Sequence, residues 1–403
     1  MKKLYYEDVH MTEFEATVTE CIYDEKKNIY KVVLDKTAFF PEEGGQPADS
    51  GTITFLQGHT VTASEGENSI SGTSLALLDA HIKNDVIYHY VKQEIPAGTV
   101  VKGCLDWSRR FDFMQQHSGE HIISGLVNKY YGYDNVGFHL GLQEVTLDFN
   151  GVLTPEQLRE IEQKANEAVW ANLPIHIAYP SSEELSALEY RSKLDLTENV
   201  RIVTIPGYDI CACCAPHTDT TGQIGIIKIT GVQSHRGGVR VNILCGNRAL
   251  KDYTTKQKNV SAVSAALSVK QDLIAEGVER LKEENFNQKE IINKLQAAVL
   301  KNMAENLPSP SESNHAILFV EPMDDIAIRN LINDLVPKYA GYVGVFWGND
   351  TDGYRYIVGS SSLDCRQLAA VLREKFGAKG GGKAPMIQGN VVATRIQLET
   401  AFQ

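Results

Sequence analysis

The 403-residue sequence predicts a multidomain α+β protein: an N-terminal β-barrel-like domain, an α+β domain, a long helical connector and a C-terminal α/β domain. Three observations carry this reading. The first hundred residues alternate short β-type runs with Gly, Asp and Pro turns. Residues 251–305 contain no Pro and a single Gly, Gly277. The stretch Leu307-Pro308-Ser309-Pro310-Ser311-Glu312-Ser313-Asn314 has the composition of a linker.

Within residues 1–100 the clearest strand patterns are 30–34 and 51–55. Residues 101–250 mix a helix around His117 and His121, a helix over 155–172 and a strand over 145–149. In 251–306 Leu273, Ile274, Val278 and Leu281, then Ile291, Ile292, Leu295 and Val299, fall at helical spacing. That is a long helix or helical hairpin. Its apolar face either pairs two copies as a homodimer or packs on its own neighbouring domain. After the linker, residues 314–403 carry buried-strand patterns at 316–320 and 342–346, with helical patterns at 325–338 and 363–376.

Composition narrows the function classes. With 43% apolar residues the chain can bury a large core, yet no run reaches the roughly 18 apolar residues of a membrane span. The opening MKKLYYEDVH has charges but no apolar core of a signal peptide, so the expected location is cytoplasmic, with no membrane partner. Seven cysteines, three of them in Cys211-Ala212-Cys213-Cys214, suit metal or redox chemistry better than a secreted disulfide framework. A net charge of −12 argues against a chain coated by nucleic acid and leaves room for a local basic surface.

His117-Ser118-Gly119-Glu120-His121 places two imidazoles one turn apart on one helical face. Cys213-Cys214-Ala215-Pro216-His217 adds a thiolate and a third imidazole from a Pro-containing loop, and together they suit one Zn2+ per chain. Spacing leaves open which of Cys211, Cys213 and Cys214 serves. His117-x-x-Glu120-His121 also fits an inverted-zincin metallopeptidase, which would want a further acid such as Glu156, Glu160 or Glu162 and would leave Cys213 and His217 unexplained. Cys211-x-x-Cys214 lacks a thioredoxin-like context, since Pro216 follows it in a loop. The run 377–383 nearly spells a P-loop, but Ala384 and Pro385 replace its Ser/Thr and helix start.

These residues resemble alanyl-tRNA editing proteins of the AlaX type and the editing domain of alanyl-tRNA synthetase. Four ordered segments carry the resemblance: Thr37-Ala38-Phe39-Phe40-Pro41-Glu42-Glu43-Gly44-Gly45-Gln46 through Asp49 and Gly51, then residues 110–124 around the His pair, then Cys213 to Gly225, then Gly238-Val239-Arg240-Val241 with Gly246 and Ala249. Farther on, Gly380-Gly381-Gly382-Lys383 with Gln388-Gly389 is similar to the DHH-associated domain at the end of alanyl-tRNA synthetase, as in the long AlaX form. Three departures stand out: Glu43 where relatives often have a third Gly, Glu120 where Gln is common, and the extra cysteines.

The resemblance implies a trans-editing hydrolase that deacylates mischarged alanine tRNA, with seryl-tRNA(Ala) and glycyl-tRNA(Ala) as the candidate substrates, without ATP-driven charging. It favours Cys213 as the cysteine ligand beside His117, His121 and His217. It also assigns Thr37 and Gln46 to the substrate pocket, where packing and turn formation are the plainer roles, with Glu120 a candidate for proton transfer. A four-ligand zinc is expected to position substrate, since catalytic sites keep a position open. A pocket built to bond the serine hydroxyl would reject alanine. Lys379, Gly380, Gly381, Gly382, Lys383 and Gln388 are expected to contact tRNA, the glycines letting backbone amides approach phosphate, with Arg236, Arg240 and Arg248 extending a basic track. A non-catalytic tRNA-binding module is the remaining alternative.

Overall fold

The computed structural model describes residues 1–56, 60–62, 67–69, 72–192 and 200–402. It divides into two compact units, Met1–Asn259 and Val260–Gln403. Among the described residues there are eight α-helices and several sheets, so the chain is a mixed α/β protein as its pattern predicts. No described helix is long and apolar enough to cross a membrane.

The first unit begins with seven antiparallel strands: β1 (Glu13–Asp24), β2 (Ile29–Leu34), β3 (Gly51–Phe55), β4 (Ser74–Leu77), β5 (Asp79–Lys83), β6 (Val86–Val91) and β7 (Val100–Leu105). Their order in the sheet is β4-β3-β7-β1-β2-β6-β5. The two edge strands are separated in sequence only by Leu78, whose N–H donates to the Tyr90 carbonyl at 2.8 Å, so the sheet curls toward closure. Alternation along β6 and β7 turns Ile87, His89, Val91 and Val101 inward, against Val18, Val32, Phe39 and Ile53.

Asp106 then caps α1 (Trp107–Tyr131), its side chain accepting from Arg109 N–H at 3.2 Å. The helix is buried almost all round, from Arg110 through Val127. It packs on a second antiparallel sheet of β8 (Asn135–Leu140), β9 (Val145–Phe149), β13 (Ile227–His235) and β14 (Gly238–Cys245), ordered β8-β9-β14-β13. Between them in sequence lie α2 (Pro155–Ala171), with a Thr154–Gln157 capping box, the short α3 (Ser182–Ala187), and a small sheet of β10 (His176–Ala178), β11 (Ile202–Ile205) and β12 (Asp209–Ala212).

One buried pair ties α1 to the segment before β3. Arg110 and Asp49 are both shielded from solvent; Arg110 Nε donates to Asp49 Oδ1 at 2.9 Å and Nη2 to the Ala38 carbonyl at 2.7 Å. Asp49 also accepts from Phe40 N–H at 2.6 Å. The segment holding Thr37 and Gln46 is thus fixed against the helix that carries His117 and His121.

Helix α4 (Gly246–Leu267) crosses from the first unit to the second, and α5 (Ile274–Glu305) follows a turn at Ser268, whose φ is 54°. The apolar positions Val278, Leu281, Ile291, Ile292, Leu295 and Val299 of α5 are exposed, whereas Gly277 and Leu300 are buried. The rest of the second unit is a five-stranded sheet with α6 (Asp325–Leu335), α7 (Cys365–Phe376) and α8 (Arg395–Ala401). Its strands are β15 (Ala316–Val320), β16 (Val343–Asn349), β17 (Gly353–Gly359), β18 (Lys379–Lys383) and β19 (Met386–Val391), ordered β15-β16-β17-β19-β18.

Removing one partner of a buried ion pair strands the other's charge. Arg110→Met is expected to lose about 3–5 kcal/mol of unfolding free energy by urea titration. The double variant Asp49→Leu/Arg110→Met should recover part of that loss; equal or greater destabilisation would show that the carbonyl bonds, not the charge pair, dominate.

Candidate metal centre and cleft

Helix α1 presents His117 and His121 toward the loop that leaves β12, and that loop brings Cys213 and His217. One donor atom from each of the four lies within 4.8 Å of the others. The Cys213 Sγ stands 3.5 Å from His117 Nε2 and 3.4 Å from His217 Nε2. All three histidines are almost wholly buried.

Each imidazole has its other nitrogen occupied. His117 Nδ1–H donates to Gln46 Oε1 at 3.0 Å and His121 Nδ1–H to Asp209 Oδ2 at 2.8 Å, while His217 Nδ1 shares a hydrogen bond with Ser118 Oγ at 3.2 Å. Asp209 is gripped in turn by Arg191, at 2.7 Å from Nε and 2.9 Å from Nη2. Such outer partners fix ring orientation and leave the Nε2 lone pairs for a cation. Three imidazoles and one sulfur, buried and mutually close, are a donor set that fits a borderline-soft divalent ion.

The acid–base character of Cys213 and His217 agrees. Burial opposes a thiolate at Cys213, but His117 and His217 beside it hold the thiol well below its ordinary range. Burial pushes Cys211 up to about 11 and also raises Cys214. Of the three cysteines that spacing could not separate, Cys213 is therefore the one whose surroundings favour the anion. Burial drives His217 down to about 3, so its imidazole is neutral and free to ligate. At His121 burial works against protonation, yet the bonds to Asp209 and Cys213 hold it well above the usual histidine value.

A glycine sets how closely the strand carrying Asp209 can approach. A Cβ at Gly125 would lie 2.2 Å from the Tyr208 carbonyl oxygen, so only a hydrogen there admits β12 beside α1. Gly44 and Gly45, with φ of 62° and 79°, make the tight turn closed by paired Glu43 and Gln46 backbone bonds. Glu43 has no positive φ, which explains why a third Gly is dispensable.

The cluster opens on a cleft of about 1250 Å³, lined among others by Glu43, Glu120, Asn135, Phe138, Arg191 and Arg201. Glu120 is buried, contrary to the solvated role usual for a helical Glu. Its Oε1 accepts from Ser124 Oγ and from Asn135 Nδ2, both at 2.6 Å, and its Oε2 is 3.8 Å from His121 Nε2. Gln46, expected in the substrate pocket, is fully buried and off the cleft wall; it bonds His117 and keeps one group, Nε2, without a partner. Thr37 does not line the cleft: its hydroxyl meets His89 Nε2 at 2.9 Å and accepts from Phe39 N–H at 3.1 Å. Glu156, Glu160 and Glu162, the acids a metallopeptidase would need, are engaged elsewhere, by Arg159, by Tyr131 and Lys164, and by Lys228 and Ile229 N–H respectively.

Sequence reasoning missed Asp209, Arg191, Asn135 and Ser118, which lie 99 residues or fewer from the ligands they serve yet share no local motif with them. It also overstated the basic track. Arg240 is paired with Asp148 and Arg248 with Asp112, so neither offers a free charge. In the second unit, Lys379 to Lys383 form edge strand β18, exposed throughout and paired only with β19. Its glycines are not a ligand cradle by geometry: a Cβ at Gly380 would strike the Gln388 carbonyl at 2.3 Å and one at Gly382 the Met386 carbonyl at 2.2 Å, while Gly381 faces open space. Gln388 Oε1 accepts from Arg329 Nη2.

A His3Cys cluster held between one helix and a strand hairpin is a candidate metal centre, and residues 200–242, which contribute Cys213 and His217 to it, match the threonyl and alanyl tRNA synthetase second additional domain. The chain is similar along nearly its whole length to an alanyl-tRNA editing protein and to parts of alanine–tRNA ligases. It is 25% identical to the alanyl-tRNA editing protein Aarsd1 of Danio rerio, covering 98% of this chain and 96% of that protein. It is 28% identical to the alanine–tRNA ligase of Methanobrevibacter smithii and 31% to that of Methanoregula boonei, over 96% of this chain in both cases. The chain spans 43% and 41% of those two ligases, about two fifths of their length.

Loss of an outer partner typically weakens metal affinity about 10–100-fold. Asp209→Asn is expected to do so, measured by competition with a chromophoric chelator; unchanged affinity would mean that His121 is oriented by packing alone.

Proposed function

We propose that this chain is a zinc-dependent trans-editing hydrolase that deacylates mischarged alanine tRNA, with seryl-tRNA(Ala) as its main substrate and glycyl-tRNA(Ala) as a second. The observation that carries the reading is the cluster of His117, His121, Cys213 and His217, each imidazole braced by an outer partner, with His117, His121 and Cys213 on the wall of a cleft of about 1250 Å³. The relation to alanyl-tRNA editing proteins supports the substrate class.

When bound, zinc would anchor and orient the aminoacyl group of the substrate. The chain's own groups do the rest. Gln46 acts through His117, whose ring its side-chain oxygen fixes. Glu120, oriented by Asn135 and Ser124, is placed to take a proton from the attacking water and return it to the departing ribose oxygen. Thr37 acts at one remove: its hydroxyl, bonded to His89, fixes the chain before the Gly44–Gly45 turn. Selectivity against alanine then rests on polar groups left unpaired when no hydroxyl enters.

The second unit serves tRNA binding in this reading, through Lys379, Lys383 and the exposed β18 backbone groups, with Gln388 beside them. The exposed apolar face of α5 supports homodimerisation, and the reaction belongs in the cytoplasm with aminoacylated tRNA(Ala).

Release of serine from seryl-tRNA(Ala), beside alanyl-tRNA(Ala), tests the reaction. Rapid serine release that spares the alanyl ester and disappears on chelation is expected; His121→Ala/Cys213→Ala should lose both metal and activity. Glu120→Gln should lower kcat by about 10²-fold or more at unchanged metal content. Full activity in that variant would remove Glu120 from the chemistry, and no release from either ester would remove the reaction.

A further inference from the structure

The first unit pairs its interior guanidinium groups with carboxylates: Arg110 with Asp49, Arg191 with Asp209, Arg248 with Asp112. Arg201 breaks that habit. It is only 7% exposed, yet no carboxylate of the described residues stands within ion-pair distance of it. Its Nη1 donates to the carbonyls of Cys213 at 2.8 Å and Ala215 at 3.0 Å, its plane lies 5.2 Å from the Tyr6 ring centre, and its Nε is buried without a partner.

Two carbonyls and an aromatic face orient a cation but do not neutralise it. A buried charge without a counter-charge is destabilising, and an unpaired buried N–H adds to that. If Arg201 served only to brace the Cys213–Ala215 loop, a neutral amide donor would do so without the desolvation penalty. A guanidinium kept there suits a ligand that is itself anionic and planar-forked in its acceptors.

The position says which anion. Arg201 lines the same cleft as His117 and His121, and it holds the backbone of Cys213 itself. The cleft wall also carries Tyr6, Tyr179, Tyr190 and Lys129. Aromatic rings beside cations are how single-stranded RNA ends are held, by stacking and by phosphate contact. A ribose whose ester sits at the cluster carries its own 5′ phosphate one sugar's width away.

We propose that Arg201 binds the phosphodiester on the 5′ side of the terminal, acylated nucleotide, through its unpartnered Nε and the adjoining edge of the guanidinium. This rests on the reading that an acylated RNA end enters the cleft. Arg201 thereby sets the distance between the RNA backbone and the ester, and the chain selects a nucleic-acid ester over a free amino-acid ester.

The test uses the full, metal-loaded chain and a deacylated RNA hairpin of the alanine acceptor stem with its 3′ single strand. One form has the natural terminal linkage and another a neutral methylphosphonate there. Wild-type protein should bind the neutral form about 10- to 100-fold more weakly. Arg201→Gln should bind both forms equally, at the weaker level, and Arg201→Lys should keep part of the discrimination. Metal content and the thermal midpoint report whether Arg201→Gln remains folded; if it does not, the wild-type comparison decides alone. A wild type indifferent to the neutral linkage overturns the proposal. So does a rise in the inhibition constant of free serine in Arg201→Gln with discrimination unchanged, which would assign the guanidinium to the product carboxylate. Because binding is the readout, a chain that discriminates the linkage but releases no serine counts against the proposed reaction and not against the phosphate site.

Discussion

The cluster depends on how near a strand can come to a helix. Gly125 removes the one side chain that would keep β12 away from α1, and that proximity lets Asp209 reach His121 at 2.8 Å. Everything downstream follows from this contact. Asp209 needs Arg191 to remain charged while buried, and the loop leaving β12 must then turn back over α1, which brings Cys213 and His217 onto the His pair. A wider gap between helix and strand would leave the same residues in the sequence and no shared focus for them in space.

A second constraint locks the other side. Arg110 and Asp49 are buried together, and the backbone around Asp49 holds the Gly44–Gly45 turn that presents Gln46 to His117. The two anchors use the same logic: a buried charge pair is tolerated because several hydrogen bonds satisfy both members, and its geometry fixes position more than it adds stability.

Much of this was legible in the sequence, for physical reasons that differ by element. The i, i+4 spacing of His117 and His121 and the Cys213–His217 spacing are local, so they read directly, as did strands 51–55, 145–149 and 316–320 and the helix over 155–172. Asp209, Arg191 and Asn135 were not legible, because nothing in a sequence marks which distant carboxylate or amide will meet a given imidazole. The burial of Glu120 was not legible, because helix α1 is buried almost all round and its apolar pattern gives no single wet face. The glycines at 380 and 382 were read as making room for a ligand, whereas a neighbouring strand occupies that room. The stretch expected as a long helix or helical hairpin is two helices that meet at Ser268, and the apolar positions read from 278 to 299 lie open along the second.

The parts of the cleft come from widely separated stretches: Tyr6 from before the first sheet, Gln46 from its crossing turn, the His pair from α1, Arg201 and Cys213 from the hairpin after it. Such a site is portable only as a block. A rearrangement that carried the metal-ligating residues into another protein without the N-terminal sheet would deliver four donors with one imidazole unbraced and the cation Arg201 stripped of its aromatic neighbour. Shuffling among larger enzymes is therefore constrained to move the sheet and the helix together, as a single inherited unit.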